Sequence, residues 1–367
     1  MNQLYYIKKE KLEWRETKAP VINASLQAIV RPFAAAKCDL DDVYLFNNMS
    51  TKLNIGSVLG IVDKDFHKLF GQNFFKGPFP FGHECIAEVI ETGDHVTTIK
   101  PGDVVSVPFQ ISCGSCINCN NGVTGSCNNT PSVSTYGFGT HLQFGGAISD
   151  LIKVPYADAM LLKIPDHIDP IHLASLSDNI PDAYRNAGPE LEKNPDKSIL
   201  VIGGKVKSIG LYTVLIAKAM GASRIDYMDY SNERLELAKR CGADNIYEFS
   251  SNIPEQYEIV VEANSDKQGL FKAIKYVRPN GLISSSGIYL KKMKMPLIEM
   301  YSKGVTFRTG LANARPDAEK VLKLITEKKL NPELVTTKVD SWDNAIEAFL
   351  TKTTKVIVSR PRLYSSN

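Results

Sequence analysis

The segment of the chain that says most about its fold is Leu200-Val201-Ile202-Gly203-Gly204-Lys205-Val206-Lys207-Ser208-Ile209-Gly210. The apolar residues before Gly203 predict a short buried strand, and the two glycines predict a turn that leads into a helix. Glycines at such a turn let the backbone approach a pyrophosphate, whose charge is stabilised at the helix N-terminus. This segment therefore predicts the first strand and helix of a nucleotide-binding parallel sheet.

The residues that follow extend this prediction. Residues 224–230 form a second apolar strand pattern, and Asp229 stands near its end, 19 residues after Gly210. A carboxylate in this position can accept hydrogen bonds from the ribose hydroxyls of adenosine, and it would repel a 2′-phosphate. The pattern favours NAD over NADP. A parallel α/β unit that binds no nucleotide is the alternative.

Two kinds of secondary structure divide the chain of 367 residues, which is long enough for two domains. From about residue 198 strands alternate with helices, which predicts a parallel sheet with covering helices. The first ~165 residues instead contain short β-like runs separated by glycine and proline, which predict an irregular, mostly antiparallel β domain. The sequence thus predicts an α/β protein.

Composition excludes several classes of function. The 43 basic and 40 acidic residues give a formal charge of +3 and are well mixed along the chain. That balance argues against binding to nucleic acid or to a membrane surface. No apolar run is long enough for a signal peptide or a membrane span, so we expect a cytoplasmic protein.

Four of the seven cysteines, Cys113, Cys116, Cys119 and Cys127, lie close together in the sequence. Four thiolates on one loop can complete a tetrahedral zinc site with no open coordination position, which predicts a structural metal. An iron–sulfur cluster or two disulfides are the alternatives. The spacing differs from the bacterial cluster motif, whose fourth cysteine comes four residues after the third and is followed by proline.

A second, dispersed group contains Cys38, the pair His83-Glu84, and Asp178. Alone, each is weak evidence, because a single cysteine is usually a small buried side chain and a His-Glu pair is usually a surface feature. Together they could supply a thiolate, an imidazole and carboxylates to one metal ion. Such a set leaves a coordination position for water or substrate.

With these groups in order, the chain resembles the zinc-containing alcohol dehydrogenase family, the medium-chain dehydrogenases, from about residue 26 to residue 358. Its segment Leu176-Ser177-Asp178-Asn179-Ile180-Pro181 resembles the branch with formaldehyde dehydrogenases and dismutases, in which Asp replaces the usual Cys as a zinc ligand. Further resemblance is carried by three segments: Gly82-His83-Glu84, Lys100-Pro101-Gly102-Asp103-Val104-Val105 and Gly242-Ala243-Asp244.

The resemblance implies a GroES-like catalytic domain (1–178 and 311–367) and a Rossmann coenzyme domain (179–310), assembled as a homodimer or homotetramer. It implies two zinc ions per chain and NAD, with a small alcohol or aldehyde as substrate. Cys38, His83 and Asp178 would hold the catalytic zinc, and Glu84 would be able to approach it. The residues implied along the cofactor are Gly203, Gly204, Ile209, Gly210, Asp229, Arg234, Gly287 and Ile288.

Three features depart from the family pattern. Leu40 and Val43 stand where the family has a hydroxyl and, in some members, a histidine that relay the alcohol proton. The nucleotide turn is two residues longer and contains Lys205 and Lys207, which could meet a phosphate or be solvated. An insert at about 46–80 contains Phe66, Phe70, Phe74, Phe75 and Phe79, which could line a substrate cleft, cover an oligomer contact or pack internally; internal packing is favoured.

The function predicted from all of these features is hydride transfer between an alcohol or aldehyde and NAD, with zinc as Lewis acid. An aldehyde dismutase that retains its NAD is one alternative. A non-catalytic scaffold that binds NAD or zinc is the other, and the missing proton relay favours it. The presence of all three candidate ligands argues against a scaffold, which has no need of an open metal site.

Overall fold

The computed structural model describes residues 1–63, 65–71, 74–139, 144–290 and 292–364. The chain folds as two compact units. The first unit comprises Met1–Pro181, Asn313–Leu322 and Thr336–Asn367, and the second comprises Asp182–Ala312 and Lys323–Val335.

The strands of the described residues are β1 (Asn2–Lys8), β2 (Lys11–Glu16), β3 (Ala28–Ala36), β4 (Phe79–Pro80), β5 (Glu84–Thr92), β6 (Val104–Ser106), β7 (Ile152–Val154), β8 (Leu162–Lys163), β9 (Ser198–Ile202), β10 (Arg224–Asp229), β11 (Asn245–Glu248), β12 (Tyr257–Glu262), β13 (Val277–Ser285), β14 (Thr306–Arg308), β15 (Lys338–Ser341) and β16 (Val356–Ser359).

The helices are α1 (Asp39–Leu45), α2 (Met49–Val58), α3 (Phe66–Phe70), α4 (Ile117–Asn120), α5 (Ala157–Met160), α6 (Asn179–Lys193), α7 (Lys207–Ala219), α8 (Asn232–Arg240), α9 (Lys267–Tyr276), α10 (Leu297–Lys303), α11 (Ala314–Thr326) and α12 (Ala345–Phe349). Short 3-10 turns occupy Thr124–Ser126, Ile171–Ser177, Pro332–Val335 and Trp342–Asn344. Among the described residues, no helix is both long enough and apolar enough to cross a membrane.

The second unit contains a six-stranded sheet in the order β11-β10-β9-β12-β13-β14, and every neighbouring pair is parallel. This is the strand order of a Rossmann sheet. The order in which successive strands are added reverses between β9 and β12. Leu200 and Ile202 of β9 pack with Val260 of β12 and Ile283 of β13 in a buried apolar cluster. The predicted doubly wound parallel sheet is confirmed.

Polar side chains start two of the connecting helices. The hydroxyl of Ser231 accepts a hydrogen bond from the backbone N–H of Arg234 at 3.4 Å and begins α8. Asp266 accepts one from the N–H of Gly269 at 3.0 Å and begins α9. These caps satisfy backbone donors that have no partner within the first helical turn, and they set where each helix leaves its strand.

The first unit is built on a seven-stranded sheet in the order β15-β16-β3-β5-β6-β8, with β7 paired to β3. Its pairs are antiparallel except for β15 with β16. In the β3–β5 pair Ala36 lies opposite Glu84, so the last residue of β3 is beside the first residue of β5. Segments that follow β3 and precede β5 are therefore neighbours, although the insert separates them in sequence.

The insert forms α2 and α3, and its phenylalanines pack against one another. Ring centroids lie 4.9 Å apart for Phe66 and Phe70, 4.7 Å for Phe70 and Phe74, and 3.9 Å for Phe74 and Phe75. The Phe75 ring also stacks on Tyr44 of α1, at 4.8 Å. This cluster anchors the insert to the first unit.

Candidate metal centres and nucleotide site

Three distant segments bring Cys38, His83 and Asp178 together in the first unit. Cys38 follows β3 and caps α1, His83 immediately precedes β5, and Asp178 ends the 3-10 turn Ile171–Ser177. That turn is docked on β5, because the hydroxyl of Ser177 accepts from the N–H of Cys85 (3.1 Å) and donates to its carbonyl (2.7 Å). One ligand atom from each of the three residues lies within 4.8 Å of the other two, and all three residues are buried.

The ligand atoms of this group make close polar contacts. His83 Nε2 lies 3.2 Å from Asp178 Oδ2, and the Cys38 thiol donates to the side-chain oxygen of Asn179 at 3.2 Å. Sulfur, imidazole nitrogen and carboxylate oxygen are all ligands that zinc accepts, and three protein ligands are typical of a catalytic zinc site. The donor set therefore fits a zinc ion.

Asp41 lies next to this group and contacts two of its ligands, a role not expected from the sequence. Its Oδ1 lies 3.7 Å from His83 Nδ1 and accepts a hydrogen bond from the Tyr44 hydroxyl at 2.6 Å. Its Oδ2 accepts from the N–H of Cys38 at 3.0 Å. Metal-binding histidines commonly face a carboxylate on the second ring nitrogen. The spacing Cys38-x-x-Asp41, which matches a helix capping box, was the signal that could have revealed it.

The electrostatics of the group favour a cation. Burial, followed by the nearby carboxylates of Asp178 and Glu84, raises the pKa of the Cys38 thiol well above its ordinary value. Burial lowers the pKa of His83, but Asp41 and Asp178 outweigh it and leave that pKa raised. Acidic groups that face one another in a buried site repel when ionised, and a divalent cation removes this repulsion.

The structure does not bring the Glu84 carboxylate into this group. Glu84 Oε2 lies 3.1 Å from Lys355 Nζ and accepts a hydrogen bond from Ser175 at 2.7 Å. Its Oε1 accepts from the backbone N–H of Asn179 at 3.3 Å. Burial raises the pKa of Glu84, whereas Lys355 opposes that rise. Glu84 thus ties the strand of His83 to the turn of Asp178.

Apolar side chains surround His83. The ring of Phe138 lies 4.1 Å from the His83 ring, and that of Phe109 lies 5.7 Å from it. Phe138 is in turn 6.1 Å from Phe74, so the phenylalanine cluster of the insert continues to the candidate metal site. The insert thus contributes to internal packing and to the surroundings of this site.

Leu40 stands at the position of the missing relay hydroxyl and is followed by two acidic residues, Asp41 and Asp42. Leu40 is half-buried and has no ionisable group. Of the neighbouring acids, Asp41 is fully buried in the contacts described above, and Asp42 forms an ion pair with Lys37 at 2.8 Å. Both carboxylates are already bound to protein groups.

The four cysteines of the loop at residues 113–127 also converge. Their sulfur atoms all lie within 4.8 Å of one another, and all seven cysteines of the chain are free thiols. Backbone N–H groups point at these sulfurs: those of Cys119 and Asn128 donate to Cys116 at 3.5 and 3.3 Å and lower the pKa of Cys116 to about 6. The arrangement fits a tetrahedral metal and does not form the two disulfides considered as an alternative.

The glycine turn after β9 packs closely against neighbouring strands. A Cβ atom on Gly203 would lie 2.3 Å from the Tyr227 hydroxyl, and one on Gly204 would lie 1.9 Å from the Asn264 side-chain oxygen. Only glycine fits at both positions, so the backbone stays free of side chains at the start of α7. Ile209 and Gly210 lie in the first turn of that helix, and the exposed Lys205 is 3.8 Å from Asp266. This turn fits the cradle of a dinucleotide pyrophosphate.

Asp229 ends β10 and is fully buried. Its carboxylate forms a two-pronged ion pair with Arg234, whose Nε lies at 2.8 Å, and accepts a hydrogen bond from Tyr227 at 2.7 Å. It borders a cavity of about 620 Å³. The residues lining this cavity are Asp229, Tyr230, Asn232, Glu248, Phe249, Ser250, Gln268 and Lys272.

The remaining two residues implied along the cofactor, Gly287 and Ile288, follow the carboxyl end of β13. The N–H of Gly287 donates to the Ser285 hydroxyl at 3.1 Å, and Ile288 is exposed. Because β9, β10 and β13 are parallel, the glycine turn, Asp229 and Gly287 all lie at the same edge of the sheet. Dinucleotides bind along this edge in sheets of this type.

Two family models that match this chain are models of dehydrogenases, and two similar proteins are named dehydrogenases. Residues 56–166 match the model of the alcohol dehydrogenase GroES-like domain, and residues 208–327 match that of the zinc-binding dehydrogenase family; together they cover more than half of the chain. A "probable zinc-binding alcohol dehydrogenase" of Mycobacterium tuberculosis is 26% identical over 80% of this chain and 76% of its own length. The glutathione-independent formaldehyde dehydrogenase of Bacillus subtilis is 32% identical over 54% of this chain and about half (51%) of its own length.

Among solved structures, the alcohol dehydrogenase of Thermus sp. ATN1 is similar along nearly the whole chain. Its TM-score is 0.81 at 27% identity, with 98% of this chain and 99% of that chain covered. The GroES-like domain and the Rossmann sheet expected from the sequence are thereby confirmed.

Proposed function

The chain belongs to the zinc-containing alcohol dehydrogenase family, and we propose that it transfers a hydride between an alcohol or aldehyde and NAD. The single observation that carries this proposal is the convergence of Cys38, His83 and Asp178 in a buried, three-ligand site. The four-cysteine loop can already hold a structural metal, so a second group with only three protein ligands points to a catalytic metal. The proposed cofactors are two zinc ions and one NAD per chain.

The catalytic zinc would be held by Cys38, His83 and Asp178. When bound, zinc supplies a Lewis acid that polarises the substrate oxygen. The Asp41 carboxylate lies 3.7 Å from His83 Nδ1, and the Tyr44 hydroxyl donates a hydrogen bond to that carboxylate. Glu84 would have to leave Lys355 and Ser175 to reach a metal, so its direct coordination stays a prediction.

NAD would lie along the carboxyl edge of the parallel sheet, where it accepts or donates the hydride. The glycine turn at Gly203 and Gly204 would receive the pyrophosphate, and Asp229 the adenosine ribose. Arg234 holds the Asp229 carboxylate in a fixed orientation at the cavity. In this position the Asp229 carboxylate is an acceptor for a ribose diol, which supports NAD over NADP.

The substrate proposed from the surroundings of His83 is an alcohol or aldehyde with an apolar body. Phe109 and Phe138 lie beside the imidazole and would exclude water from one side of it. An apolar group gains from contact with such rings, whereas a polyol would lose hydrogen bonds there. Location in the cytoplasm and assembly as a homodimer or homotetramer stay predictions.

The test combines a metal count with an activity screen on the same preparation. Protein purified without chelator should contain two zinc ions per chain and reduce NAD, in preference to NADP, with a panel of primary alcohols. Aromatic and longer aliphatic alcohols should be better substrates than methanol or sorbitol.

Four outcomes would contradict the proposal. One zinc per chain, or iron, would remove the metal assignment. Tighter binding of NADP than NAD would remove the role of Asp229. Binding of zinc and NAD without turnover of any alcohol or aldehyde would identify the chain as a scaffold, and conversion of an aldehyde into alcohol and acid without added NAD would identify a dismutase.

A further inference from the structure

A polar face of α6 lies against the carboxyl end of β13 in the second unit. Asp182, Arg185 and Asn186 are spaced by one helical turn and therefore share one face of the helix. Asn186 donates to the Ser286 hydroxyl at 2.7 Å and accepts from Ser284 at 2.8 Å. Arg185 Nη2 donates to the carbonyl of Ser285, the last residue of β13, at 3.3 Å. Hydrogen bonds thus hold this face of α6 against the carboxyl end of β13.

Arg185 is the residue of this face whose hydrogen bonding is incomplete. Its side chain is 10% exposed, and its Nε donates to Asp182 Oδ1 at 2.6 Å. Nη1, in contrast, is buried and has no hydrogen-bond partner among the described residues. A buried guanidinium donor without a partner costs stability unless a ligand or water supplies an acceptor. Nothing in the roles proposed above uses this donor.

The position of Arg185 in the sheet indicates which part of a dinucleotide could meet it. The order in which successive strands are added to the sheet reverses between β9 and β12, and a dinucleotide extends across such a point with one half on each side. Asp229 and the cavity beside it are on the β10 side, which is the adenosine side. The end of β13 is on the opposite side, where the nicotinamide half must lie.

The charge around Arg185 indicates what kind of acceptor could bind Nη1. The ion pair with Asp182 neutralises the guanidinium, so Arg185 does not provide the excess positive charge that an anionic group would seek. A neutral carbonyl oxygen is the matching acceptor, and the nicotinamide ring carries one in its carboxamide. We propose that Nη1 of Arg185 donates a hydrogen bond to the carboxamide oxygen of NAD. Arg185 would then be a cofactor-binding residue that orients the ring from which or to which hydride passes.

This inference rests on the proposed use of NAD, and binding measurements can separate the two. The affinities of NADH and of ADP-ribose, which lacks the nicotinamide, are measured by titration calorimetry on the full-length wild-type protein and on two variants. Arg185→Leu removes the donor. Arg185→Lys keeps the charge beside Asp182 but has a single ammonium group that cannot also reproduce the planar, forked guanidinium.

Both variants should bind NADH about tenfold or more weakly than wild type, because a hydrogen bond from a charged group is lost. Both should bind ADP-ribose within about twofold of wild type, since that ligand never meets Nη1. Retained ADP-ribose binding also shows that a variant is folded, and Arg185→Lys serves as the test should Arg185→Leu fail to fold.

Unchanged NADH affinity would overturn the inference, and so would an equal loss for NADH and ADP-ribose, which would assign Nη1 to the ribose or phosphates. Wild-type protein that binds neither ligand would overturn the proposed cofactor and the inference with it.

Discussion

The loop at residues 113–127 and the group of Cys38, His83 and Asp178 both bring metal-binding side chains together, but over very different lengths of chain. The loop closes four sulfurs within 15 positions, and its own backbone N–H groups point at them. The second group joins residues as far as 140 positions apart, which meet only because β3 pairs with β5 and a turn docks on β5. The four-cysteine centre is therefore formed by one short segment of chain. The three-ligand centre is formed only when the strands of the first unit pair.

This difference predicts how each centre should respond to damage. The loop is held by its backbone and by weak N–H to sulfur hydrogen bonds, so we expect it to need the metal to keep its conformation. The second group is held by two paired strands and by the contacts of Asp41, Ser177 and Glu84, none of which involves a metal. Loss of the first metal should therefore cost mainly stability, and loss of the second mainly activity.

The largest effect is expected from Cys38→Ala. Removal of this thiolate should lower the rate of alcohol oxidation by about 1,000-fold or more, because the polarising metal contributes several kcal/mol to the transition state. Zinc content should fall from two ions to one, while the thermal midpoint changes little. Steady-state kinetics with elemental analysis measures both.

Cys85→Ala is the matched control for Cys38→Ala. Cys85 is equally buried and lies in β5, but its sulfur is outside the ligand group. It should keep two zinc ions and most of the activity. Loss of activity in Cys85→Ala equal to that in Cys38→Ala would mean that packing, and not coordination, explains the result.

An intermediate effect, on stability, is expected from Cys119→Ala. Because structural zinc binding is coupled to folding, this variant should lose about 3 kcal/mol of unfolding free energy, or roughly 6–12 °C in the thermal midpoint. Calorimetry with and without EDTA measures the change. EDTA should destabilise wild type strongly and Cys119→Ala only slightly.

Cys241→Ala provides the comparison for a buried cysteine that belongs to neither ligand group, and it should retain two zinc ions. A Cys119→Ala protein as stable as wild type would show that the four-cysteine loop does not depend on its metal for stability.

The smallest effect is expected from Leu40→Ser, which sharpens the description of the second centre. Position 40 is half-buried next to Cys38, and the nearby Asp42 is committed to Lys37. A hydroxyl there should speed proton departure and raise the hydride-transfer rate at neutral pH by roughly tenfold at most, less than a complete general base provides. Single-turnover formation of NADH, followed from pH 6 to pH 9, measures it.

Leu40→Ala separates the hydroxyl from the loss of side-chain volume, and it should not show the increase. Equal rates and equal pH profiles in wild type, Leu40→Ser and Leu40→Ala, with hydride transfer limiting, would show that another group already carries the proton.

The sequence by itself was sufficient where the chemistry is local. The strand Ser198–Ile202, the glycine turn after it and the capped helix α8 follow from patterns within a few residues, because backbone hydrogen bonds and side-chain caps act over one turn. The four-cysteine loop was predictable for the same reason. The identities of Cys38, His83 and Asp178 came from resemblance, since no local pattern connects them.

Only the tertiary structure decided what surrounds those residues. The antiparallel register of β3 and β5 makes the 44-residue separation of Cys38 and His83 irrelevant. Packing within the first unit places Asp41 beside His83 and Glu84 beside Lys355. Packing within the second unit leaves one donor of Arg185 buried without a hydrogen-bond partner among the described residues. The physical reason is that contacts between distant segments depend on strand register and packing, and these are determined by the whole core and not by any single stretch of residues.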